Sequence, residues 1–447
     1  MTSLPELAKR VAVSALAMTH TTERAAHRFG VAPFLPRLFA DRFTHLGGIP
    51  EDRFREQLAG CRSFEDARWA GYWQVFADEH LMRADTALSR LGGPTTEQLL
   101  DAVATTDLNA LGVLLAPASR ILSERGTVAD PADVDRFCAE HPEAADSAMA
   151  LDGLVKALVY EFVAAWPGWG PQRLRAYERS HRLCEVLLLA LAPAMDVTVE
   201  SVQIPINDVD SVRGFLVLPV GAASTPTVLV TNGLEGTLAE VLIPLVAQRH
   251  LGFGTLVMEM PGTYSYHEPL SVAAESAYTK VIDFLVADPR VDPDSIGMMG
   301  FSFGGYWSTR MAAVDRRLKV AVSNGALTHR SFGAANSVGM PEIMVSTLAS
   351  TVGASSMVDL SRKMASLSLE RLYRSIEIPL LVINGARDTL ISTQDSIDLA
   401  VEAPNAQLVL YADDDHCAMG NAQHWSDLSA RFLHDHLVAR TPVEVAR

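Results

Sequence analysis

A serine at position 302 stands in a pattern that suits a nucleophile. The segment 300–304 reads Gly-Phe-Ser-Phe-Gly; it follows an apolar run, residues 296–299, that predicts a buried strand, and it precedes a stretch that predicts a helix. A sharp turn from strand to helix exposes the serine hydroxyl, and small residues two positions to either side avoid clashes with neighbouring backbone. The first amides of the helix can also stabilise a developing oxyanion. Ser302 is therefore the predicted nucleophile, with an ordinary glycine-rich turn as the alternative.

Asp388 and His416 are the predicted partners of this serine. A serine hydroxyl is a weak nucleophile at neutral pH, so it needs a base, and the base needs an orienting carboxylate. Asp388 follows the apolar run 380–383 and a turn, and His416 follows the run 408–410. Asp388 could instead be a helix N-cap or a loop carboxylate, and His416 could be a surface histidine flanked by acids. The chain order of serine, acid and histidine, each after a strand, nevertheless predicts a Ser-Asp-His triad.

Two other features offer alternatives to this interpretation. His329 also follows a predicted strand, but it lies between Ser302 and Asp388 in the chain, which breaks the expected order. Three consecutive carboxylates at residues 413–415 suggest a metal site. Because three adjacent carboxylates cannot all point at one ion, solvated loop charge is the preferred interpretation. No metal and no cofactor is predicted.

The loop at residues 232–236 is the predicted second side of an oxyanion hole. It reads Asn-Gly-Leu-Glu-Gly after the predicted strand 227–230, and its glycines let the backbone approach a substrate closely. The amides of Leu234 and Phe303 are the candidate donors. Glu235, in the same loop, is a candidate substrate-pocket residue, with capping of the following helix as an equally weighted alternative.

The elements that must position these residues divide the chain into two parts. Residues 1–195 show helical periodicity interrupted at glycines and prolines, which predicts an all-helical N-terminal cap domain. Residues 196–447 begin with a predicted antiparallel hairpin, at 197–204 and 212–219, and continue as short apolar runs alternating with helical stretches. That alternation predicts βαβ units and a mostly parallel, doubly wound sheet of about eight strands.

The remaining predicted elements follow from the same patterns. Strands are predicted at residues 227–230, 255–258, 296–299, 320–322, 380–383 and 408–410. Helices between them are predicted at residues 238–248, 273–288 and 304–314. The segment 328–374 is longer than one crossover helix requires and is expected to add to a lid.

Composition limits the function classes. The chain has 447 residues and a formal net charge of −16, which opposes binding to nucleic acid or anionic membranes. A small-molecule substrate is expected instead. No apolar stretch approaches the roughly 20 residues of a membrane span, and the short apolar run at residues 11–18 favours an amphipathic helix over a secretory signal. The cysteines are expected to be reduced thiols of a cytoplasmic protein; they are Cys61, Cys138, Cys184 and Cys417.

Several segments resemble one branch of the α/β-hydrolases, the 2,6-dihydroxypseudooxynicotine hydrolase group, which is related to FrsA-like esterases and to fungal polyketide-shortening hydrolases. In the second half these segments are 232–236, 258–262, 291–293 and 304–306; in the first half they are Trp69, Trp73, His80, 154–166 and 177–189. The resemblance implies an α/β-hydrolase domain under a helical cap, a Ser-Asp-His triad, and cleavage of esters or of carbon–carbon bonds beside a carbonyl.

Some positions depart from that group. Residues 93–149 look like an insertion, Glu259 stands where relatives commonly have Asp, and residues 324–341 contain no acid, although a carboxylate there assists some carbon–carbon hydrolases. Within the cap, Trp69, Trp73 and His80 have the helical spacing typical of core packing. Tyr160 and Glu161 are candidate pocket residues, because an acid inside an apolar helix is costly unless it is paired or faces a cavity.

The predicted function is that of a cofactor-independent serine hydrolase acting on a hydrophobic small molecule, with an aromatic or polyketide-like substrate as an option. The second hypothesis is acyl transfer, cyclisation or elimination on a natural-product intermediate, using the same residues with water excluded. A non-catalytic binding protein that keeps the fold is the third. The oligomeric state is open; a homodimer is one expectation, since capped hydrolases with extra N-terminal helices often pair.

Overall fold

A computed structural model describes residues 4–36, 38–45, 49–103, 106–123, 131–221, 223–241, 249–333 and 339–439. Within these residues the chain forms one eight-stranded sheet in the order β1-β2-β4-β3-β5-β6-β7-β8. The strands are β1 Val197–Pro205, β2 Ser211–Pro219, β3 Thr225–Thr231, β4 Gly254–Met258, β5 Val291–Phe301, β6 Leu318–Asn324, β7 Leu380–Gly385 and β8 Ala406–Tyr411.

Helices cover both faces of this sheet and form nearly all of the N-terminal part. Those before the sheet are α1 Leu4–Met18, α2 Thr22–Phe29, α3 Leu38–His45, α4 Glu51–Gly60, α5 Asp66–Arg90, α6 Thr96–Leu100, α7 Leu108–Leu115, α8 Arg120–Ser123, α9 Pro131–Glu140, α10 Ala145–Ala165 and α11 Pro171–Leu191. Those within the sheet domain are α12 Glu275–Ala287, α13 Phe303–Val314, α14 Glu342–Thr351, α15 Met357–Ser366, α16 Thr393–Glu402 and α17 Ala422–Leu437.

The sheet has the mixed topology that its sequence predicts. β1 and β2 form an antiparallel hairpin, β2 is antiparallel to β4, and the strands from β4 to β8 pair in parallel. Every residue of β4 and β7 is buried, whereas exposed and buried residues mix along β1. Continuous apolar runs are required where helices cover both faces of a parallel sheet, and β1 lies at its edge. The predicted fold class is therefore confirmed.

The helical region packs around α10. Nearly all of α10 is buried, because α5 and α11 lie against it. Gly153 permits the close crossing with α5, since a Cβ at this position would meet the backbone oxygen of His80 at 2.9 Å. A helix that is apolar around its whole circumference requires such complete coverage. The last α-helix of this region ends at Leu191 and β1 begins at Val197.

Three further predictions concern single segments. The run at residues 11–18 lies in α1, a helix, and the predicted helix at 238–248 is described only as far as residue 241. None of the described helices combines the length and apolar character needed to cross a bilayer. None of the four cysteines forms a disulfide.

The turn between β5 and α13 depends on two glycines that lie against neighbouring backbone. A Cβ on Gly300 would approach the backbone oxygen of Gly304 to 2.0 Å, and a Cβ on Gly304 would approach that of Thr231 to 2.3 Å. Both contacts are with main-chain atoms, which can move only if β3 or the turn itself shifts. The strand-to-helix crossing therefore has room only for glycine at these positions.

We expect Gly304→Ala to destabilise the protein by about 2 kcal/mol, because overpacking against backbone forces a shift of the turn. Gly71→Ala is the matched control: Gly71 lies exposed in α5 with no neighbouring atom in the way, and this change should stabilise by about 0.5–1 kcal/mol through helix propensity. Urea unfolding of both variants measures the difference. Equal stability of Gly304→Ala and the wild type would show that the crossing is not tightly packed.

Candidate active site

Ser302 occupies a strained turn at the end of β5. Its backbone has φ 54° and ψ −118°, a conformation that costs a residue with a side chain of order 1–3 kcal/mol and persists only where surrounding contacts enforce it. Those contacts are the amide of Ser302, which donates to the backbone oxygen of Asn324 at 2.7 Å, and the amide of Tyr306, which donates back to Ser302 at 3.2 Å. The turn holds the hydroxyl outward at the wall of a cavity.

His416 and Asp388 complete a hydrogen-bonded line with this hydroxyl. His416 Nε2 lies 2.8 Å from Ser302 Oγ, and His416 Nδ1 lies 2.8 Å from Asp388 Oδ2. A carboxylate can only accept, so Nδ1 carries the proton, and Nε2 is left to accept the serine O–H. The structure thus brings together the three residues that the sequence singles out, in the geometry of a nucleophile, a base and an orienting acid.

The Asp388 side chain, which is fully buried, is held by three further donors. Its Oδ1 accepts the amides of Leu390 and Ile391 at 2.8 and 2.9 Å, and its Oδ2 accepts Asn384 Nδ2 at 2.9 Å. The capping interpretation is wrong, because Ser392 is the N-cap of the following helix. One oxygen of Asp388 closes a local turn before that helix, while the other faces His416. Three donors and the imidazole together fix the carboxylate orientation.

Asn384 links the acid to the histidine loop, and sequence reasoning did not identify it. It is fully buried at the end of β7, and its Oδ1 accepts the amides of Gly385 and Cys417 at 2.8 and 3.0 Å. The available signal was a polar residue directly after a continuous apolar strand run. Buried amide side chains are retained when all their groups are bonded, which here ties Asp388 to the residue after His416.

The three carboxylates before His416 are used differently from one another. Asp413 is exposed and pairs with Arg387 at 2.6 Å, as expected for loop charge. Asp414 and Asp415 are buried and accept main-chain amides instead: Asp415 takes those of Thr389 and His416, at 2.6 and 2.8 Å. The prediction of solvated charge was wrong for these two, because their oxygens form the turn that presents His416.

The cavity at Ser302 is mostly apolar. Its apolar wall comes from both parts of the chain and includes Leu38, Phe39, Met344, Leu390, Met419 and Trp425. Met344 belongs to α14, inside the segment expected to add to a lid, and α3 packs against the turn at residues 416–421. A cavity with an apolar body and a few convergent polar groups is the usual form of a small-molecule site.

Polar contacts between the helical region and the sheet domain involve three glutamates. Glu235 and Glu259 are buried and Glu240 is partly buried, and Glu235 and Glu240 line the cavity. Burial raises the pKa of Glu235 and of Glu259 to about 7 against the opposing effect of their hydrogen-bond partners. Glu259, the departure from Asp noted in the sequence, reaches a tyrosine of α11. The pairs are Arg42 with Glu240 at 2.5 Å, Trp166 Nε1 with Glu235 at 2.5 Å, and Tyr177 Oη with Glu259 at 2.8 Å.

Arg42 is a cavity residue that no sequence pattern indicated. Its guanidinium binds both oxygens of Glu240, at 2.5 and 2.7 Å, and lies over the rings of Phe43 and Phe162. Burial alone would lower the pKa of Arg42, but Glu240 and Glu235 raise it. A bidentate, partly stacked arginine of this kind is strongly preorganised. The contact joins α3 of the helical region to the sheet domain.

The two candidate oxyanion donors lie on either side of Ser302. Phe303 is the first residue of α13, so its amide has no acceptor within the helix. Leu234 lines the cavity in the loop after β3. Gly233, the residue before it, lies so close that a Cβ there would meet Ser302 Cβ at 2.8 Å. The predicted loop and the predicted helix start are therefore adjacent.

Glu235 lies in the cavity wall, whereas Tyr160 and Glu161 do not. Tyr160 donates to Gln57 Oε1 at 2.9 Å inside the helical region, and Glu161 is buried there against Arg179. The prediction that these two line the pocket was wrong, because the acid within α10 is stabilised by an ion pair rather than by facing a cavity. The capping role considered for Glu235 is also excluded, since its Oε2 accepts from Trp166 instead.

Trp69, Trp73 and His80 pack inside the helical region, and His329, the alternative histidine, lies away from the cavity. Trp69 and Trp73 are fully buried, and Trp69 Nε1 donates to the backbone oxygen of Val163 at 3.0 Å. His80 stacks on Tyr160. These residues pack the helical core, as their spacing predicts. His329 lies 2.7 Å from Ser368 Oγ and away from the cavity.

The fold and this site define an α/β-hydrolase. The family model of FrsA-like esterases matches residues 138–409, which is more than half of the chain. The chain therefore belongs to the FrsA-like esterase family. Its named relatives are hydrolases and esterases, so it is a hydrolase enzyme.

Individual relatives are more distant. The chain is 26% identical over 260 residues to 2,6-dihydropseudooxynicotine hydrolase of Paenarthrobacter nicotinovorans, covering 57% of this chain and 67% of that one. It is 31% identical over 147 residues to esterase FrsA of Vibrio cholerae, covering 32% of this chain and 35% of that esterase. The chain thus spans about a third of the esterase's length.

Two solved structures share the fold. That of 2,6-dihydroxy-pseudo-oxynicotine hydrolase has a TM-score of 0.65 at 18% identity and covers 90% of this chain and 97% of that one. That of a protein titled AbyA5 has a TM-score of 0.55 at 20% identity and covers 67% of this chain and 86% of that one. The first likeness covers most of this chain and shows that the fold is shared, while the match to the family model confirms the resemblance drawn from the sequence.

We expect the His416 imidazole to titrate above its ordinary pKa of about 6.5. Burial opposes its protonation, but Cys417 and the carboxylate of Asp388 favour the charged form, and the pKa of His416 is raised. Asp388→Asn removes the carboxylate charge and should lower that pKa. Histidine NMR titration of both proteins measures this difference. An unchanged pKa in the variant would contradict the electrostatic coupling.

Proposed function

We propose that this chain is a serine hydrolase that uses Ser302, His416 and Asp388 to cleave an ester, or a carbon–carbon bond beside a carbonyl, in a hydrophobic small molecule. The observation that carries the proposal is the pair of 2.8 Å contacts that link the three side chains in the order required for proton transfer. The strained turn at Ser302 supports it, since strain of this kind concentrates at functional sites.

The first half of the reaction acylates the serine. As Ser302 Oγ forms a bond to the substrate carbonyl carbon, its proton passes to His416 Nε2, and the carbonyl oxygen becomes an oxyanion held by the amides of Leu234 and Phe303. Asp388 stabilises the imidazolium through Nδ1. Collapse of this intermediate breaks the bond to the leaving group, which takes the proton from His416: an alkoxide in an ester, a carbanion in a carbon–carbon substrate.

The second half returns the enzyme to its starting state. His416 deprotonates a water molecule, which attacks the acyl carbon, and the proton returns to Ser302 Oγ as the bond to the acyl group breaks. The product is a carboxylic acid that carries one oxygen from water. Because only neutral His416 can accept a proton, the raised pKa of this residue means that activity falls as pH decreases through that value.

The lining of the cavity supports a hydrophobic substrate. Phe39 and Trp425 supply aromatic walls, and Met344 and Met419 supply adaptable apolar ones. An aromatic or polyketide-like body matches these walls. The names of two relatives, an esterase and a pseudooxynicotine hydrolase, are consistent with either type of bond.

A fluorophosphonate probe tests the nucleophile. We expect the probe to label the wild type at Ser302 and to leave Ser302→Ala unlabelled, because only an activated serine attacks phosphorus readily. Hydrolysis of 4-nitrophenyl esters by the variant should fall by about 10³-fold or more. Ser323→Ala, which changes a buried serine of β6 away from the cavity, is the matched control and should be labelled normally.

The fate of solvent oxygen tests the reaction type. Turnover in water enriched in ¹⁸O should place one labelled oxygen in the new carboxylate. Equal labelling of Ser302→Ala and the wild type by the fluorophosphonate probe would contradict the assigned nucleophile. Products without solvent oxygen would contradict hydrolysis and indicate acyl transfer or elimination instead.

A further inference from the structure

We propose that Glu235 forms a subsite that binds a hydroxyl group on the acyl part of an otherwise apolar substrate. This inference rests on the proposed function, because it assigns a substrate class to the same cavity. It makes Glu235 a determinant of specificity rather than a member of the proton-transfer line.

The first observation is an unpaired, buried carboxylate oxygen on a residue that lines the cavity. Glu235 is 4% exposed and lines the cavity that contains Ser302. Trp166 Nε1 donates to its Oε2, whereas its Oε1 has no hydrogen-bond partner among the described residues. A buried polar atom without a partner is costly, and a group on the substrate can supply the missing hydrogen bond.

The neighbouring cation does not satisfy this oxygen. Arg42 is engaged by both oxygens of Glu240, so it acts on Glu235 through its charge rather than through a hydrogen bond. The remainder of the cavity wall is largely apolar. Among the described residues, Glu235 and Asn232 each place a buried oxygen without a partner beside this cavity, and Glu235 is the charged acceptor around which a polar substituent of a hydrophobic substrate would be oriented.

The position of Glu235 indicates which part of the substrate it contacts. Gly233 lies directly against the Ser302 side chain, and Glu235 follows two residues later, so their Cα atoms lie within about 7 Å of each other. Glu235 is therefore close in space to a substrate carbonyl that is held at Ser302. The complementary group belongs near the reacting carbonyl.

The protonation behaviour of the site favours a hydroxyl over other polar groups. Burial raises the pKa of Glu235 to about 7, with Arg42, Trp166 and Arg173 opposing the shift and Glu240 supporting it. Both protonation states are therefore populated near neutral pH. A hydroxyl can donate to the carboxylate and can also accept from the O–H of the carboxylic acid, whereas an N–H can only donate and a carbonyl can only accept.

The test compares two nearly isosteric esters, 4-nitrophenyl 3-hydroxybutanoate and 4-nitrophenyl 3-methylbutanoate. A site with a buried hydrogen-bonding group discriminates strongly against an analogue that leaves the group unpaired. We expect the kcat/KM of the wild type for the preferred enantiomer of the hydroxy ester to exceed that for the methyl ester at least tenfold, at both pH 6 and pH 8. The ratio of the two kcat/KM values is the readout.

Two variants locate the preference. In the double variant Trp166→Phe with Glu235→Met, both hydrogen-bonding partners become apolar, so no polar group is left unpaired, and the ratio should fall to about one. Trp166→Phe alone keeps Glu235 and is the matched control; its ratio should stay near the wild-type value. A purely structural role for Glu235 would lower both kcat/KM values together and leave the ratio unchanged.

The outcomes separate this inference from the proposed function. A wild-type ratio near one, or an undiminished ratio in the double variant, overturns the hydroxyl subsite even when both esters are cleaved. Absence of any Ser302-dependent cleavage of either ester overturns the proposed function itself. If the double variant does not fold, the wild-type ratio alone decides, because the subsite requires that preference.

Discussion

The close approach of three backbone segments at the end of β5 is the constraint on which the site depends. Gly300, Gly304 and Gly233 leave no space for a Cβ where the turn, the start of α13 and the loop after β3 meet. This packing holds Ser302 at positive φ and brings Leu234 beside it. A hydroxyl on a longer or looser loop would lack the fixed relation to both amide donors that transition-state stabilisation requires.

The remaining geometry attaches to this turn through buried polar groups. Asn384 ties the Asp388 turn to the histidine loop, and Asp415 ties that loop to Thr389. The bonds from Cys417 to Asn384 and from Thr389 to Asp415 join the segments at the ends of β7 and β8, which are neighbouring strands of the parallel sheet. The distance from Ser302 to His416 is therefore set by sheet geometry together with a small network of satisfied polar atoms. Such networks specify one arrangement when every member is bonded.

The helical region is coupled to the same site. Arg42, Trp166 and Tyr177 each bind a buried or partly buried glutamate of the sheet domain, and two of these glutamates line the cavity. Removing one partner of such a pair leaves a buried charge or polar atom unpaired, which is strongly destabilising. The helical region is thus fixed to the sheet domain by interactions that also determine the polarity of the cavity.

Much of the fold could be predicted from the sequence, because hydrophobic patterns specify strands locally and the chain order of Ser302, Asp388 and His416 places each at a strand end. The three side chains do lie together. Contacts between distant segments could not be predicted. No sequence motif in α3 marks Arg42 as a cavity residue, and a single polar residue after an apolar run, such as Asn384, does not reveal its partners. The prediction that Glu161 lines the pocket was wrong for a related reason, since its partner Arg179 lies on another helix.

The central claim is that Ser302 attacks a carbonyl whose oxygen is then held by the amides of Phe303 and Leu234. A crystal structure with an arylboronic acid tests it most directly, because a tetrahedral boronate imitates the first intermediate. We expect a bond from boron to Ser302 Oγ, one boronate oxygen about 2.7–3.1 Å from both amides, and the aryl ring against the apolar wall. Boron bonded to another residue, or a boronate oxygen directed away from both amides, would contradict it.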